Sequence, residues 1–504
     1  MKNFSLVAFS VDHPKLVMVL AIAITVIFAM QFPKMKIDTN PKNMLPKTSD
    51  VRMWNDEVDS TFSLYEDTIV LGISNETGIL NRDTLGKIQR ITDKVVTISG
   101  VAARDVSSFT TIDNVTVEDG ILKVAPLMQK VPETDEEMQA LRKTLRENPL
   151  FMNRIISMDE KTTAIYTPLE PGANGKEIAD QIRAIVNTER GSERYYIAGD
   201  PVARDTFGSV MFKLMAMFSP ISALIMFIAI YLMFRSVVLS LSMLSAAMIS
   251  IIWSMGLLIG IGFPIHIMSS MAPVFLIAIA TDGIHIFNEF YFRYREKKNK
   301  RTAILETMEV VGRPVRYTAL ATAAGFAVLI FMHIIPVRIF GGLIAIGTII
   351  LRLLSFSFIP AILALIKDEK IEKAAAREHA ELNVTGRLLR SLSGFGVLRP
   401  RATASIAVVL LVFAVIGASQ IVVNNNMVTW FKKGSEIRTA DTLMNRTLGG
   451  TSLGYVVAIS NDEDYIKTPE AMRNIEGLQK HLEKLPVVGK TTSVVDYVKR
   501  INRV

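Results

Sequence analysis

The stretch Met268–Arg295, MSSMAPVFLIAIATDGIHIFNEFYFRYR, limits the possible folds of this chain more than any other. It is long and apolar enough to cross a bilayer as a helix. Its second half nevertheless carries Asp282, His285 and Glu289. At helical spacing those three side chains lie within about 60° of one another around the axis. An ionisable stripe inside a membrane is costly, so it faces a protein interior or a wet cavity, and proton or ion relay is its usual use. The spacing therefore predicts a membrane helix that takes part in relay.

Further apolar runs accompany it. They are Leu16–Phe32, Phe212–Phe234, Val237–Ile261, Tyr317–Ile335, Ile339–Ile366 and Ala402–Gln420, with Ile267–Phe292 as the fourth in order. Half of all residues are hydrophobic (50%), which is high for a soluble chain and ordinary for a multispan one. The first run has a rival reading as a cleaved signal peptide. It is longer than a typical h-region, and no small-x-small cleavage site follows it.

The runs divide the chain into six parts: an N-terminus with span one (1–34), a mixed segment (35–210), spans two to six (211–366), a linker (367–400), span seven (401–421) and a final segment (422–504). Within 35–210, short β-like runs at Asp67–Ile73, Thr163–Pro168 and Arg194–Ala198 alternate with helical, charged stretches such as Thr134–Glu147 and Lys176–Thr188. That alternation predicts an α+β domain. Asp368–Leu382 reads as an amphipathic or solvated helix. The connections Arg293–Arg316 and Lys367–Arg401 are long and basic, which assigns them to the cytoplasmic side and both large segments to the other.

Composition narrows the chemistry. With no cysteine there is no disulfide, no thiolate nucleophile and no zinc–thiolate site. No Gly-rich phosphate loop and no Ser-His-Asp arrangement can be argued from spacing, so no enzyme and no cofactor is expected. His285 and Glu289 stand at i and i+4, but one helix alone offers ligands, and no metal is expected. The run Lys297–Arg301 (KKNKR) beside a span is a topology determinant touching anionic lipid, not a nucleic-acid site.

Each polar residue in the spans has a bland reading beside the functional one. Asp282 is either a relay carboxyl or one held protonated against a neighbouring helix. His285 fits a second proton carrier and a satisfied core histidine equally well. Glu289 lies nearer the cytoplasmic end, where a solvated, snorkelling carboxylate is the better reading. Thr318, Thr322 and Gly325 share one face of the fifth span, as a packing seam, a hydroxyl route next to Asp282, or both. Arg352 falls within about 3 Å of the depth of Asp282, counted along the helices. A lone central Arg costs several kcal/mol, so Asp282 is its expected partner, with snorkelling to lipid as the alternative.

The segment after span seven repeats the segment after span one. MLPKTSDVR (Met44–Arg52) matches WFKKGSEIR (Trp430–Arg438), and LGISN (Leu71–Asn75) matches VAISN (Val457–Asn461), at one constant offset. The same offset pairs Pro14 with Pro400. Duplication of this kind is frequent in transporters built from two related halves. The chain reads as one complete half and the start of another.

One span, a large domain, five spans and a repeat is the order of the resistance–nodulation–division (RND) superfamily. The chain resembles its hydrophobic-substrate branch, related to the mycobacterial large membrane proteins and to Patched and Dispatched. Three features carry the resemblance: IAIATDGIHIFNEF (Ile277–Phe290), VGRPVRYTALATAAGFAVLIF (Val311–Phe331), and the pair FSLYEDTIVLGIS (Phe62–Ser74) with IAGDPVARDTF (Ile197–Phe207). It implies a multispan α-helical membrane protein of the bacterial cytoplasmic (inner) membrane, with an extracytoplasmic α+β porter-like domain after span one and the start of a second after span seven. It also implies proton-driven export of a lipid or other amphiphile, with Asp282 as the relay residue. Where many members carry a paired acid or an Asp-Tyr pair, this chain has Asp282-Gly283, which leaves one carboxylate and His285 for the relay. The expected partners are protons, membrane lipids, a hydrophobic substrate, and a second half supplied by self-association or another chain. The alternative is a non-energised lipid-binding or protein-export accessory protein.

Overall fold

Among the described residues, seven helices are long and apolar enough to cross a membrane: Pro14–Lys34, Asp200–Phe234, Val237–Gly260, Ile267–Lys297, Lys300–Phe331, Ile335–Leu365 and Pro400–Ser419. The structure is a computed structural model that describes every residue except 1–4, 63–66, 119–120, 149, 370, 373–383, 423–425, 463 and 504. Most of the helix expected over Asp368–Leu382 therefore lies outside the described residues. The chain forms two compact units, Met1–Ser49 with Val210–Asn424, and Asp50–Ser209 with Asn425–Val504.

In the helical unit the third and sixth spans lie at the centre, with 56% and 61% of their apolar windows buried, whereas the seventh has 0% buried. Small residues allow the close approaches. A Cβ on Gly256 would come within 2.5 Å of the Phe28 carbonyl oxygen, and one on Gly347 within 2.7 Å of Leu276. Two side-chain hydrogen bonds cross between helices here. Ser250 Oγ donates to the Gly347 carbonyl at 2.7 Å, and Trp253 Nε1 donates to Thr25 Oγ1 at 2.9 Å. A short parallel pairing of Ile37–Asp38 with Ile265–His266 ties the exit of the first span to the entry of the fourth.

The connections follow turn chemistry. Arg235 sits in the left-handed region (φ 49°) between the second and third spans, and Ser236 caps the helix that follows. The basic connection Arg293–Arg316 is not a loop. The fourth-span helix continues to Lys297, Lys298 turns the chain at φ 51°, and Asn299 caps a helix that starts at Lys300. Hydropathy marks where a helix leaves the apolar phase, not where it ends; Lys and Arg are good helix formers.

The mixed unit is built on a three-stranded antiparallel sheet. Its central strand, Thr68–Ser74, lies between Thr162–Pro168 and Arg194–Ala198. These are the three β-like runs of the sequence. The helices Asp135–Glu147, opened by a Thr134–Glu137 capping box, and Gly175–Thr188 stand where charged periodicity placed them. The helix Arg82–Val95 and the hairpin Asp113–Glu118/Ile121–Pro126 complete the unit. Successive side chains of a strand point to opposite faces. Ile69, Leu71 and Ile73 accordingly join Ile88, Ile91 and Ile182 in one core, while Val70 lies with Ala164, Met444 and Leu448 in another. Both faces are covered, which is why this strand reads as a continuous apolar run.

The second cover comes from the repeat. The helix Glu436–Thr447 packs on the sheet, and Met444 occupies the space over Gly72, where a Cβ would stand 1.7 Å from its methyl carbon. The repeat also holds in local structure. Asn40 caps a 3₁₀ turn over Pro41–Met44, and Asn426 caps its counterpart over Met427–Trp430.

A buried polar brace holds the edge of this unit. Thr84 Oγ1 donates to Glu193 Oε1 at 2.6 Å, and Lys87 Nζ donates to Glu193 Oε2 at 2.8 Å and to Asp83 at 2.6 Å. Burial pushes the Glu193 carboxyl up, but the bonds from Lys87 and Thr84 outweigh it and hold the group below the usual carboxylate range. Burial pulls the Lys87 ammonium down, and the bonds to Asp83 and Glu193 outweigh that, leaving it above its usual range. The lowered acid contributes stability above its unfolded pKa of about 4.3 and loses it as pH falls through the folded value. The raised Lys contributes below about 10.4 and loses its share as pH rises through its folded value. Glu193→Gln is therefore expected to flatten the acid limb of stability below about pH 4.3. At neutral pH it should cost about 3 kcal/mol, the low end for a broken buried pair, because Asp83 still holds Lys87. Thermal unfolding across acid and neutral pH measures both.

Candidate functional site

The fourth span is not one continuous α-helix. An α segment, Ala272–Ala280, gives way to a 3₁₀ turn at Thr281–Gly283 before the α-helix resumes over Ile284–Lys297. A 3₁₀ stretch inside a helix commonly marks a hinge. Asp282 sits in that turn. Gly283 beside it lets the turn approach the third span, since a Cβ there would stand 2.7 Å from the Met243 sulfur and methyl.

Asp282 opens on a small cleft with Ile279, Ala280 and Gly283 from its own span. Ala319 from the fifth span and Thr348, Leu351, Arg352 and Ser355 from the sixth complete it. Asp282 and Arg352 are the charged groups of this lining. They meet across a cleft, not in the ion pair expected from their depth. Nε and Nη1 of Arg352 are buried without a hydrogen-bond partner, and its guanidinium carbon lies 5.2 Å from the centre of the Phe356 ring. Arg316 stands over the same ring at 5.8 Å. The Thr348 and Ser355 hydroxyls donate back to Ile344 and Leu351, at 2.8 and 2.9 Å, which leaves their lone pairs to the cleft.

The other residues of the expected stripe are placed elsewhere. His285 is exposed on the surface of the helical unit. Glu289 accepts from Arg293 Nε at 2.8 Å in an i,i+4 pair that extends toward Glu296 and Glu306. Thr318 is exposed and bonded back to the Pro314 carbonyl at 3.1 Å; Thr322 is half-buried and outside the cleft lining. The fifth span packs instead through Gly312, Val315, Ala319 and Ala323, the neighbouring face. The sequence reading missed Thr348 and Ser355. Their signal was available, since Thr348, Arg352 and Ser355 stand at i, i+4 and i+7 on one helix face.

A second cluster joins the two motifs at the ends of the mixed segment. Arg204, in IAGDPVARDTF, donates from Nη1 and Nη2 to both oxygens of Asp67, at 2.9 and 2.8 Å. Its Nε donates to Asp205 at 3.1 Å, and Asp205 accepts from the Gly175 amide at 2.7 Å. The Arg204 side chain is 9% exposed.

Seven apolar helices of spanning length among the described residues, with a charged cleft among the fourth, fifth and sixth, define an integral membrane protein of the multispan class. The chain belongs to the MMPL family, whose model matches residues 87–403, a span that includes both the Ile277–Phe290 and Val311–Phe331 motifs. Members of that family are RND-type membrane transporters. The chain is also similar to a membrane protein of Streptomyces coelicolor, at 21% identity over 336 residues; the match covers 64% of this chain and 39% of that protein's length.

Proposed function

We propose that this chain is a proton-coupled secondary transporter that exports a lipid or other amphiphile, with Asp282 as the titrating group. The observation that carries the reading is Asp282 facing Arg352 across a cleft, with two buried guanidinium nitrogens free of protein partners. An ionised Asp282 draws Arg352 toward it; protonation removes that attraction and leaves an uncompensated cation, which must hold to the Phe356 ring or move toward water. The 3₁₀ turn and Gly283 give the backbone freedom to follow. His285 and Glu289 are secondary to this step, as a surface group and an ion-paired one.

The mixed unit lies on the non-cytoplasmic side of the inner membrane in this reading and carries the substrate route, with the basic corner at Lys297–Lys300 inside. The seventh span, with none of its apolar window buried, and the open face at Thr318 and Gly325 support a working form that includes further spans, from a second copy or another chain.

Inverted vesicles carrying the chain test the reading with a fluorescent amphiphile and an imposed proton gradient. Uptake should collapse when a protonophore removes the gradient. Uptake indifferent to the gradient would favour the non-energised lipid-binding alternative.

A further inference from the structure

The mouth of the fourth span holds a buried titratable group that the Asp282 step does not use. There Ile265–His266 pairs in parallel with Ile37–Asp38, and the Ile265 amide donates to the Lys36 carbonyl at 2.8 Å. His266 is 2% exposed in that seam, and its ring is hydrogen-bonded to the Asp38 backbone. Its Nε2 is buried with no hydrogen-bond partner among the described residues. The bond to Asp38 therefore uses Nδ1–H, which leaves Nε2 as a bare lone pair, the position a proton takes. His266 also precedes the 3₁₀ turn Ile267–Met271 as its N-cap, yet its side chain makes no capping bond. Ser269 occupies the N3 position, which an N-cap side chain ordinarily reaches. It is 0% exposed, and its Oγ is likewise buried without a partner among the described residues. Two orphaned polar atoms in one buried turn are costly, which singles them out from the polar groups around them.

Burial disfavours the imidazolium and outweighs the Asp38 carboxylate, which favours it, so the ring lies below the usual imidazole range. The other charged groups nearby face away. Lys36, on the paired strand, is exposed, and the turn Ile267–Met271 carries no charge. The sixth span, which packs on that turn, offers Arg338 in its first turns; it is exposed and donates from Nε to the Ile330 carbonyl at 3.1 Å. We propose that His266 is an acid-sensing latch at the outer mouth of the fourth span: a proton on Nε2 creates a buried cation, and the pairing with Ile37–Asp38 opens to let water reach it. Burial penalises that cation, and the start of a helix, with its positive dipole end, adds to the penalty. The seam is thus held closed above about pH 6.5, the free imidazole value, and loosens as pH falls toward the lower folded value. Placing the latch on the outer side rests on the topology proposed above; the titration rests on the seam alone. Acid on that side then unlocks the entry of the span that carries Asp282.

The protein contains no cysteine, so a single introduced thiol reports without background. Ile265→Cys places it in the seam, at a position 0% exposed. Ile37→Cys, at a position 50% exposed on the paired strand, corrects for the pH dependence of the thiol reaction itself. In the full chain in detergent, the labelling rate of the first relative to the second should rise about tenfold per pH unit between the free and the folded imidazole values, the slope one proton sets. His266→Gln should make the ratio flat, because the amide keeps a donor for the Asp38 carbonyl and does not titrate. Asp38→Asn keeps that carbonyl and removes the carboxylate that favours the imidazolium, so the rise should level off at lower pH. Asp282→Asn should leave the curve unchanged, which separates the latch from the proton relay. A flat ratio in the parent overturns the proposal, as does an acid rise that survives His266→Gln or vanishes with Asp282→Asn. If His266→Gln is open at every pH because the seam needs the ring, the Asp38→Asn curve decides, and a levelling point that stays in place overturns the latch.

Discussion

Vesicles carrying Asp282→Asn are expected to lose gradient-driven export by on the order of 10²-fold or more, the scale set by removing a positioned proton-transfer group. The substitution keeps the size of the side chain and deletes its titration. His285→Asn and Glu289→Gln should stay near the parent rate. His285 lies on the surface, and Glu289 is engaged with Arg293 outside the cleft. Loss in the His285 variant equal to that of Asp282→Asn would place the relay on the helix surface and overturn the cleft reading. The same substitution has a stability readout. With Asp282 neutral, Arg352 keeps its charge and loses the one acidic neighbour of the cleft. Asp282→Asn combined with Arg352→Met should therefore be more stable than Asp282→Asn alone, because replacing both members of a charged pair costs less than removing one. A coupling energy of about 0.5–3 kcal/mol in a double-mutant cycle marks residues that interact. Additive effects would mean that the cleft separates them energetically.

Arg204→Met should be among the most destabilising single changes in the mixed unit, at about 3–5 kcal/mol. Three hydrogen bonds to two carboxylates are lost, and both acids stay behind in nearly buried positions, Asp67 at 19% and Asp205 at 11% exposed. The stem of Met fills much of the space of the Arg stem, so the cost reports charge, not a cavity. Denaturant unfolding followed by Trp430 emission suits the test, since that ring packs 4.9 Å from Phe207 in the same unit. Adding Asp67→Asn should restore part of the loss. A cost below about 1 kcal/mol, the range of exposed pairs, would show that water reaches the cluster.

Much of this architecture was legible in the sequence. Seven apolar runs became seven candidate spans, because a bilayer demands a fixed length of apolar helix. The three strands of the central sheet were legible for a different reason. A strand covered on both faces cannot hide its apolar character, and Thr68–Ser74 shows it in every buried position. Helix ends were less legible. The helix from Lys300 begins well before the apolar run that marks its membrane portion, since charged residues leave hydropathy silent while still favouring helix.

The candidate site divides along the same line. Asp282 and Arg352 stood out in sequence because charge in an apolar span is costly wherever it points. Periodicity grouped Asp282 with His285 and Glu289, but a span has several faces, and one helix's spacing does not say which face meets a neighbour. The 3₁₀ turn at Thr281–Gly283 and the approach of Gly283 to Met243 decided that Asp282 opens on the sixth span. Packing also put Ala319, not Thr318, at the cleft. The repeat shows the same division. Sequence identified its two copies, because matched residues persist at a fixed offset. Only tertiary structure decided that Met444 of the second copy fills the space over Gly72 of the first, because which surfaces cover each other is settled by shape and burial, and neither is written in local spacing.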